Sequence, residues 1–206
     1  IREINPRVWV TGEPLNQLLE SLGSDLVAAN VYLGAEPIVA ALKEGADIVI
    51  GGRLADDALW LAPMIYEFGW KADDWVRKGR GTIITHLLEC SAFCTGGVFA
   101  DPPYKVVPRL RDLGYPIAEV EESGDGVITK VKGTGGLVTP ATCKEQLIYE
   151  IHDPANYLTP DVVADFTNVT FQQVGPDRVR VSGGTGKEWP ATLKVTLGVW
   201  EGYIAE

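Results

Sequence analysis

Apolar positions in the first third of the chain alternate between two rhythms. Residues 8–10 are β-rich, residues 14–22 carry apolar side chains at helical spacing, and "DLVAANVYLG" (25–34) reads as extended and buried. "EPIVAALKEG" (36–45) is a short helix ended by Gly45. "ADIVIGG" (46–52) is a continuous apolar run of the kind a buried parallel strand presents. Strand, helix and strand in that order predict a βαβ unit. A helical middle follows in three segments, "DDALWLAPMIYEFGW" (56–70), "ADDWVRKG" (72–79) and "GTIITHLLECSAF" (81–93). From Pro116 the rhythm changes. "PIAEVEE" and "GVITKV" flank the Ser-Gly-Asp-Gly turn at 123–126, a hairpin signal. A helix predicted to begin near Thr139 is followed by β-branched runs at 162–184 and 192–206, interrupted by Gly-Pro-Asp at 175–177. The fold class is therefore α/β, with a βαβ front and mixed sheet over 1–115, then an α+β part with antiparallel strands over 116–206.

Composition narrows the function classes. The 206 residues are 46% hydrophobic and 22% charged, an ordinary globular mixture with enough apolar side chains for a sizeable core. Net charge is −10 and the 18 basic residues are scattered, which argues against nucleic acid or an anionic membrane surface as partner. Three cysteines make no disulfide framework and fit a reducing, cytoplasmic setting. No apolar run approaches the roughly 20 residues that span a bilayer, and the N-terminus has no signal-peptide pattern. The chain opens on "IREINPRVWVTG" without an initiator methionine and stops inside the strand-like "LGVWEGYIAE". An incomplete piece of a larger fold, or a split or processed one, is the expectation, because cutting an element leaves backbone groups unpaired.

Three stretches carry candidate chemistry. Gly51, Gly52, Arg53 and Asp56 follow the predicted strand 46–52 and precede a helix, the position where open α/β sheets hold ligands. The planar guanidinium of Arg53 suits a carboxylate or phosphate. Equally, Asp56 or Asp57 can serve as the N-cap of the next helix, with Arg53 its intramolecular partner. In "HLLECSAFCTGGVFADP" (86–102), His86, Cys90 and Cys94 recur at intervals of four and would share one helix face, with Glu89 beside them. An imidazole and two thiolates are zinc ligands. A single helix wraps a tetrahedral ion poorly, however, and His152 lies in another segment, so no metal is expected. Acid–base or nucleophilic work by His86, Glu89 and Cys90 is favoured over it, with Asp101 as a neighbouring carboxylate.

The two Thr-Gly-Gly turns, Thr95-Gly96-Gly97 and Thr134-Gly135-Gly136, complete the set. "GTGGLVTPATCKEQL" (133–147) runs a glycine turn into a helix with Thr139 as N-cap and Pro140 at the first helical position. Helix N-termini favour anions, whereas glycine pairs in loops more often supply positive φ alone. If both turns converged with Arg53 they would form a pocket for a carboxylate or a thioester carbonyl. Three independent surface turns are the alternative.

These stretches together resemble the acyclic terpene utilisation protein A family. The resemblance is carried by "NVYLGAEPIVAAL", "GADIVIGGRLADDALWLAPMIYEFGW", "HLLECSAFCTGGVFADP", "GYPIAEV", "KGTGGLVTPATCKEQLIYEIHDPANYLTPDVVADF" and "VGPDRVRVSG", and it runs from about Val10 to Glu206. It implies that this chain is the second half of a longer main domain, and that a complementary N-terminal segment or subunit, or another copy in a homo- or hetero-oligomer, completes it. It further implies bacterial breakdown of branched, citronellol-type terpenoids through CoA thioesters. The substrate implied is a carboxylate or acyl-CoA, with a hydration, dehydration or other lyase-type step. No resident cofactor is implied. The alternative is a non-catalytic assembly subunit of a larger acyl-CoA-processing complex. Cys94 and Cys143 depart from the family pattern, which weakens the metal idea and makes Cys143 a packing residue.

Overall fold

The computed structural model describes residues 25–202 together with Arg7, Val8, Gly12, Pro14, Leu15 and residues 19–21. The elements predicted at 8–10 and 14–22 therefore lie largely outside the described residues. The chain divides into two compact units, Ile1–Tyr32 with Lys194–Glu206, and Leu33–Leu193.

In the first unit, β1 (Leu26–Val31) pairs antiparallel with the last strand, β9 (Val195–Val199), Ala29 opposite Leu197 and Val31 opposite Val195. The expected burial of this run is not met: Val27 is 64% exposed. A two-stranded ribbon covers its strands on one edge only, so an apolar composition does not by itself bury them.

The second unit is a mixed α/β fold built around one helix. Its elements in chain order are α1 (Glu36–Lys43), α2 (Ala58–Phe68), α3 (Trp75–Leu88), β2 (Pro116–Val120), β3 (Gly126–Lys130), α4 (Pro140–Leu147), β4 (Tyr157–Leu158), β5 (Val163–Asp165), β6 (Thr170–Gly175), β7 (Arg178–Ser182) and β8 (Thr185–Lys187). One antiparallel sheet has the order β2-β3-β7-β6, the other β4-β5-β8. The strand–helix–strand rhythm survives in minimal form. Leu33 bridges Leu54 in parallel, with α1 between them, through Leu33 N–H to Arg53 O (3.3 Å) and Ala55 N–H to Leu33 O (2.8 Å). The run 46–52 is a correction: it forms no strand, and Ile48 and Ile50 are 81% and 92% exposed. A continuous apolar run becomes a buried strand only where neighbours pair it and cover both faces.

The helical middle differs too. The segments 72–79 and 81–93 are read separately from the sequence, yet α3 runs unbroken through Gly79 and Gly81. Asp74 caps it, accepting from Arg77 N–H at 3.4 Å. Ten of its fourteen residues, from Lys78 to Leu88, are buried, so it is a central helix rather than a surface one. Two glycines inside a helix cost about 1 kcal/mol each relative to alanine. Here they admit close neighbours: Gly81 lies against Leu61 of α2 and Trp70, and Gly79 against the backbone of β8.

The back of the chain follows its sequence closely. The 121–125 turn closes the β2–β3 hairpin through Glu121 N–H to Asp125 O and Gly124 N–H to Glu121 O, both 2.9 Å. Along β7, Val179 and Val181 are buried while Arg178 and Arg180 face out. Each arginine takes a two-point grip on a carboxylate of the β2 side, Arg178 on Glu119 and Arg180 on Glu121. Such exposed pairs add little stability. The predicted start of α4 is present with its full cap. Thr139 Oγ1 accepts from Thr142 N–H at 3.2 Å, and Thr142 Oγ1 accepts from Thr139 N–H at 3.0 Å.

Candidate functional site

His86 lies in the last turn of α3 and is 1% exposed. Its Nδ1 is 2.6 Å from Glu89 Oε1, an approach off the axis of a formed hydrogen bond, and Nε2 has no partner among the described residues. The ring packs against Tyr157 (centroids 5.6 Å apart) and Phe166 (5.8 Å). Gln146 of α4 donates to the His86 carbonyl at 3.1 Å, and its own Oε1 is buried without a partner among the described residues. The pair His86–Glu89 is thus a real contact, placed by the i,i+3 spacing at the helix end.

Asp57 is a second buried ionisable group, and its carboxyl feels the charge of Glu89. It occupies the N-cap position of α2, yet its side chain caps nothing: it is 3% exposed and Oδ2 has no partner among the described residues. Burial pushes its carboxyl well above the ordinary range, and the charges of Asp161 and Glu89 push the same way. Burial also raises the Tyr157 phenol, helped by the charges of Glu89, Asp57 and Asp56. Asp161, 7% exposed, accepts the Ala35 N–H on both oxygens (3.0 and 2.9 Å). Its carboxylate fills the space a side chain at Gly34 would need. Burial raises Asp161, opposed by that hydrogen bond and by Lys78. Lys78 itself is buried, its Nζ donating to Ala72 O (2.7 Å) beside the Trp75 and Trp189 rings, and burial lowers it. The sequence signals for these groups were faint: an acid directly before the buried Ala58, and another directly before the run Val162–Ala164.

The remaining expected residues fall elsewhere. Cys90 does sit near Glu89 and Gln146, but burial raises its thiol, opposed by the Gln146 hydrogen bond, the reverse of an activated nucleophile. Cys94 is turned off the helix face, because α3 stops at Leu88 and Ser91 takes φ 52°. It meets Cys143 instead. Among the described residues no group of three or more His, Cys, Asp or Glu side chains is arranged to hold a metal. Asp101 is exposed in a tight turn, exchanging backbone hydrogen bonds with Lys105. No contact brings it to His86 among the described residues.

The two Thr-Gly-Gly turns do converge, on each other. Thr95 Oγ1 donates to Gly114 O at 2.7 Å, and Thr95 O accepts from Leu137 N–H at 2.9 Å. The N–H groups of Gly96 and Gly97 go to Phe93 O and Ala92 O. Those of Gly135 and Gly136 go to Asp112 O and Pro108 O, both 2.7 Å, and Thr134 N–H goes to Val131 O. The amides of both turns thus have hydrogen-bond partners inside the chain. Gly51, Gly52, Arg53 and Asp56 are exposed, with Arg53 Nη2 3.7 Å from Asp56 Oδ1.

One pH dependence follows. The folded state holds the Asp57 proton more tightly than the unfolded chain does. As pH rises from the ordinary carboxylate range to the raised folded value, the unfolded state ionises first, so stability falls across that window. Asp161 contributes with the same sign. Asp57→Asn should therefore flatten the slope and gain on the order of 1 kcal/mol at neutral pH. Urea melts at pH 5 and pH 8 measure it, and an Asn variant less stable at pH 8 than the parent contradicts it.

The fold is mixed α/β, with the buried His86 in contact with Glu89 at the end of its central helix. No helix among the described residues is long and apolar enough to cross a membrane. The model of the acyclic terpene utilisation family protein AtuA matches residues 3–206, and the chain belongs to that family. Neither the curated proteins nor the solved structures contain a match to it. Its setting is therefore acyclic terpene utilisation.

Proposed function

We propose that the chain is an enzyme, or an enzyme subunit, of cytoplasmic branched-carboxylate breakdown, moving a proton at the carbon next to the carbonyl of a terpenoid-type carboxylate or its CoA thioester in a hydration or dehydration step. The observation carrying this reading is the buried cluster itself. His86 Nε2 and Asp57 Oδ2 are withdrawn from water with no protein partner among the described residues. Buried polar atoms in native proteins are normally paired, and orphaned ones gather where a substrate or water completes the set. His86, steadied by Glu89, acts as base. Asp57, whose burial and neighbouring carboxylates favour the protonated form, acts as acid, and such a step needs both a base and an acid. Arg53 takes the substrate's anionic group. Its planar guanidinium is 45% exposed and suits a carboxylate or phosphate. CoA enters as part of the substrate, and no resident cofactor is invoked.

The test uses the full-length protein with a branched α,β-unsaturated acyl-CoA in deuterium oxide. Deuterium uptake at the α-carbon is expected, and His86→Gln should lower its rate about 100-fold, the usual scale of general base loss, while the urea midpoint shows the variant folded. No exchange in the parent, or an undiminished rate in a folded His86→Gln variant, removes the reading.

A second reading has its own observation. The exposed apolar run Ile48–Ile50 has no strand pairing among the described residues, which suits an assembly subunit whose partner, a complementary segment or another copy, supplies the adjacent strand. Native mass measurement separates the two: a well-behaved, concentration-independent monomer counts against assembly.

A further inference from the structure

Cys94 and Cys143 lie 49 residues apart in the sequence, and both are 0% exposed. Their Sγ atoms are 3.9 Å apart, the Cys94 thiol donating to Cys143. Cys94 ends the 91–93 helical turn, and Cys143 is the fourth residue of α4. No atom has to be displaced from between the two sulfurs, because they already touch. A disulfide needs about 2.05 Å between them, so closure takes roughly 2 Å of combined movement. The third cysteine, Cys90, is half-buried and lies against Gln146, with no sulfur beside it.

We infer that Cys94 and Cys143 are a modification site, a thiol pair that closes to an intramolecular disulfide when the protein meets a peroxide. The step balances with one hydrogen peroxide. The Cys94 sulfur attacks one peroxide oxygen, the O–O bond breaks, and a sulfenic acid and a water result. The Cys143 sulfur then attacks that sulfenic sulfur, its proton leaves with the departing hydroxyl, and the second water forms. The two sulfurs lose two electrons and two protons, and the peroxide is reduced to two waters. A thiol or dithiol reductant reverses it by exchange.

The position gives the crosslink a consequence. Cys94 adjoins Thr95, which ties the 114 and 137 segments together, while Cys143 sits one turn before Gln146, the residue holding the His86 carbonyl. A bond between them locks α4 to the turn that follows α3. The resting pair is protected: its mutual hydrogen bond, first, and burial, second, hold the Cys94 thiol well above the ordinary range. Thiolate forms only when the turn opens, so the rate of closure levels off as peroxide is raised.

The experiment treats the full-length protein with hydrogen peroxide under native conditions, quenches, denatures, and counts free thiols with a maleimide. The count should fall by two, with a dithiothreitol-reversible peptide link joining 94 to 143. The melting temperature should rise by about 10 °C, the scale expected for closing a loop of some 50 residues in a protein of this size. Cys94→Ala should lose no thiol on treatment, and Cys143→Ala should form no intramolecular peptide link, its Cys94 stopping at the sulfenic acid. An unchanged thiol count in the parent, a link through Cys90, or crosslinks only between molecules would overturn the inference. A link that forms without any change in melting temperature would overturn its structural consequence.

Discussion

Gly79→Ala should destabilise the protein by about 3 kcal/mol, although alanine is the better helix former. Overpacking a close contact typically costs 1–3 kcal/mol and occasionally more, and this contact lies at the severe end. A Cβ at position 79 would stand 2.2 Å from Thr185 O, 2.5 Å from Thr185 C and 2.7 Å from Gly186 Cα. All three are backbone atoms of β8, so no side chain can swing away. The reciprocal fit is equally tight: a Cβ at Gly186 would meet Trp75 O at 2.3 Å, and one at Gly184 would meet Ile83 Cδ1 at 2.0 Å. Helix and strand approach glycine to glycine over this stretch. The helix cannot retreat, because its opposite side holds Leu61 and Trp70 against Gly81. Alanine's propensity advantage of about 1 kcal/mol offsets only part of the loss. A drop of about 10 °C in melting temperature is the expected readout for a chain of this length. The control is Gly175→Ala, where the nearest atom is an Arg178 side-chain carbon at 3.6 Å and nothing has to move. Equal melting of Gly79→Ala and the parent protein would show that α3 and β8 do not pack as described.

The same contact explains which features were readable from the sequence. Elements set by local chemistry were legible. The Ser-Gly-Asp-Gly hairpin, the Gly-Pro-Asp turn between β6 and β7, and the Thr139–Pro140 helix start depend on residues within a few positions of one another. His86 and Glu89 were legible for that reason as well, since one helical turn brings them together. Gly79 and Gly81 were read as a break between two helices because their partner, residues 184–186, lies a hundred positions away. Residues 46–52 were read as a buried strand because composition reports apolar character, whereas burial depends on neighbours. Asp57 looked like a helix cap for a similar reason. Its altered proton affinity comes from burial and from Asp161 and Glu89, which no local pattern brings near it. The missed parts of the site are thus the ones created by tertiary contacts.

Gly135→Ala carries the second large effect, and it decides what the glycine turn before α4 is for. An anion cradle would lose ligand affinity on this substitution and keep its stability. The contacts predict the opposite. A Cβ at 135 would stand 2.3 Å from Arg109 O, 2.6 Å from Arg109 Cβ and 2.9 Å from Asp112 O. Arg109 has no room to yield, being held at φ 53° with its guanidinium paired to Asp112 and donating to Gly133 O at 3.1 Å. The Gly135 N–H to Asp112 O and Gly114 N–H to Gly135 O hydrogen bonds would be strained together, and with them the Thr95 link to Gly114. The expected loss is about 3 kcal/mol, read as a lower urea midpoint at unchanged slope. Gly52→Ala supplies the contrast. It sits in the loop that carries Arg53, a Cβ there meets nothing within 4 Å, and its backbone needs no positive φ, so its stability should stay within about 0.5 kcal/mol of the parent. If the turn is a corner, titration with inorganic phosphate should find equal affinity in the parent and in whatever Gly135→Ala protein remains folded. A folded, equally stable Gly135→Ala protein that no longer binds an anion would return the turn to ligand binding.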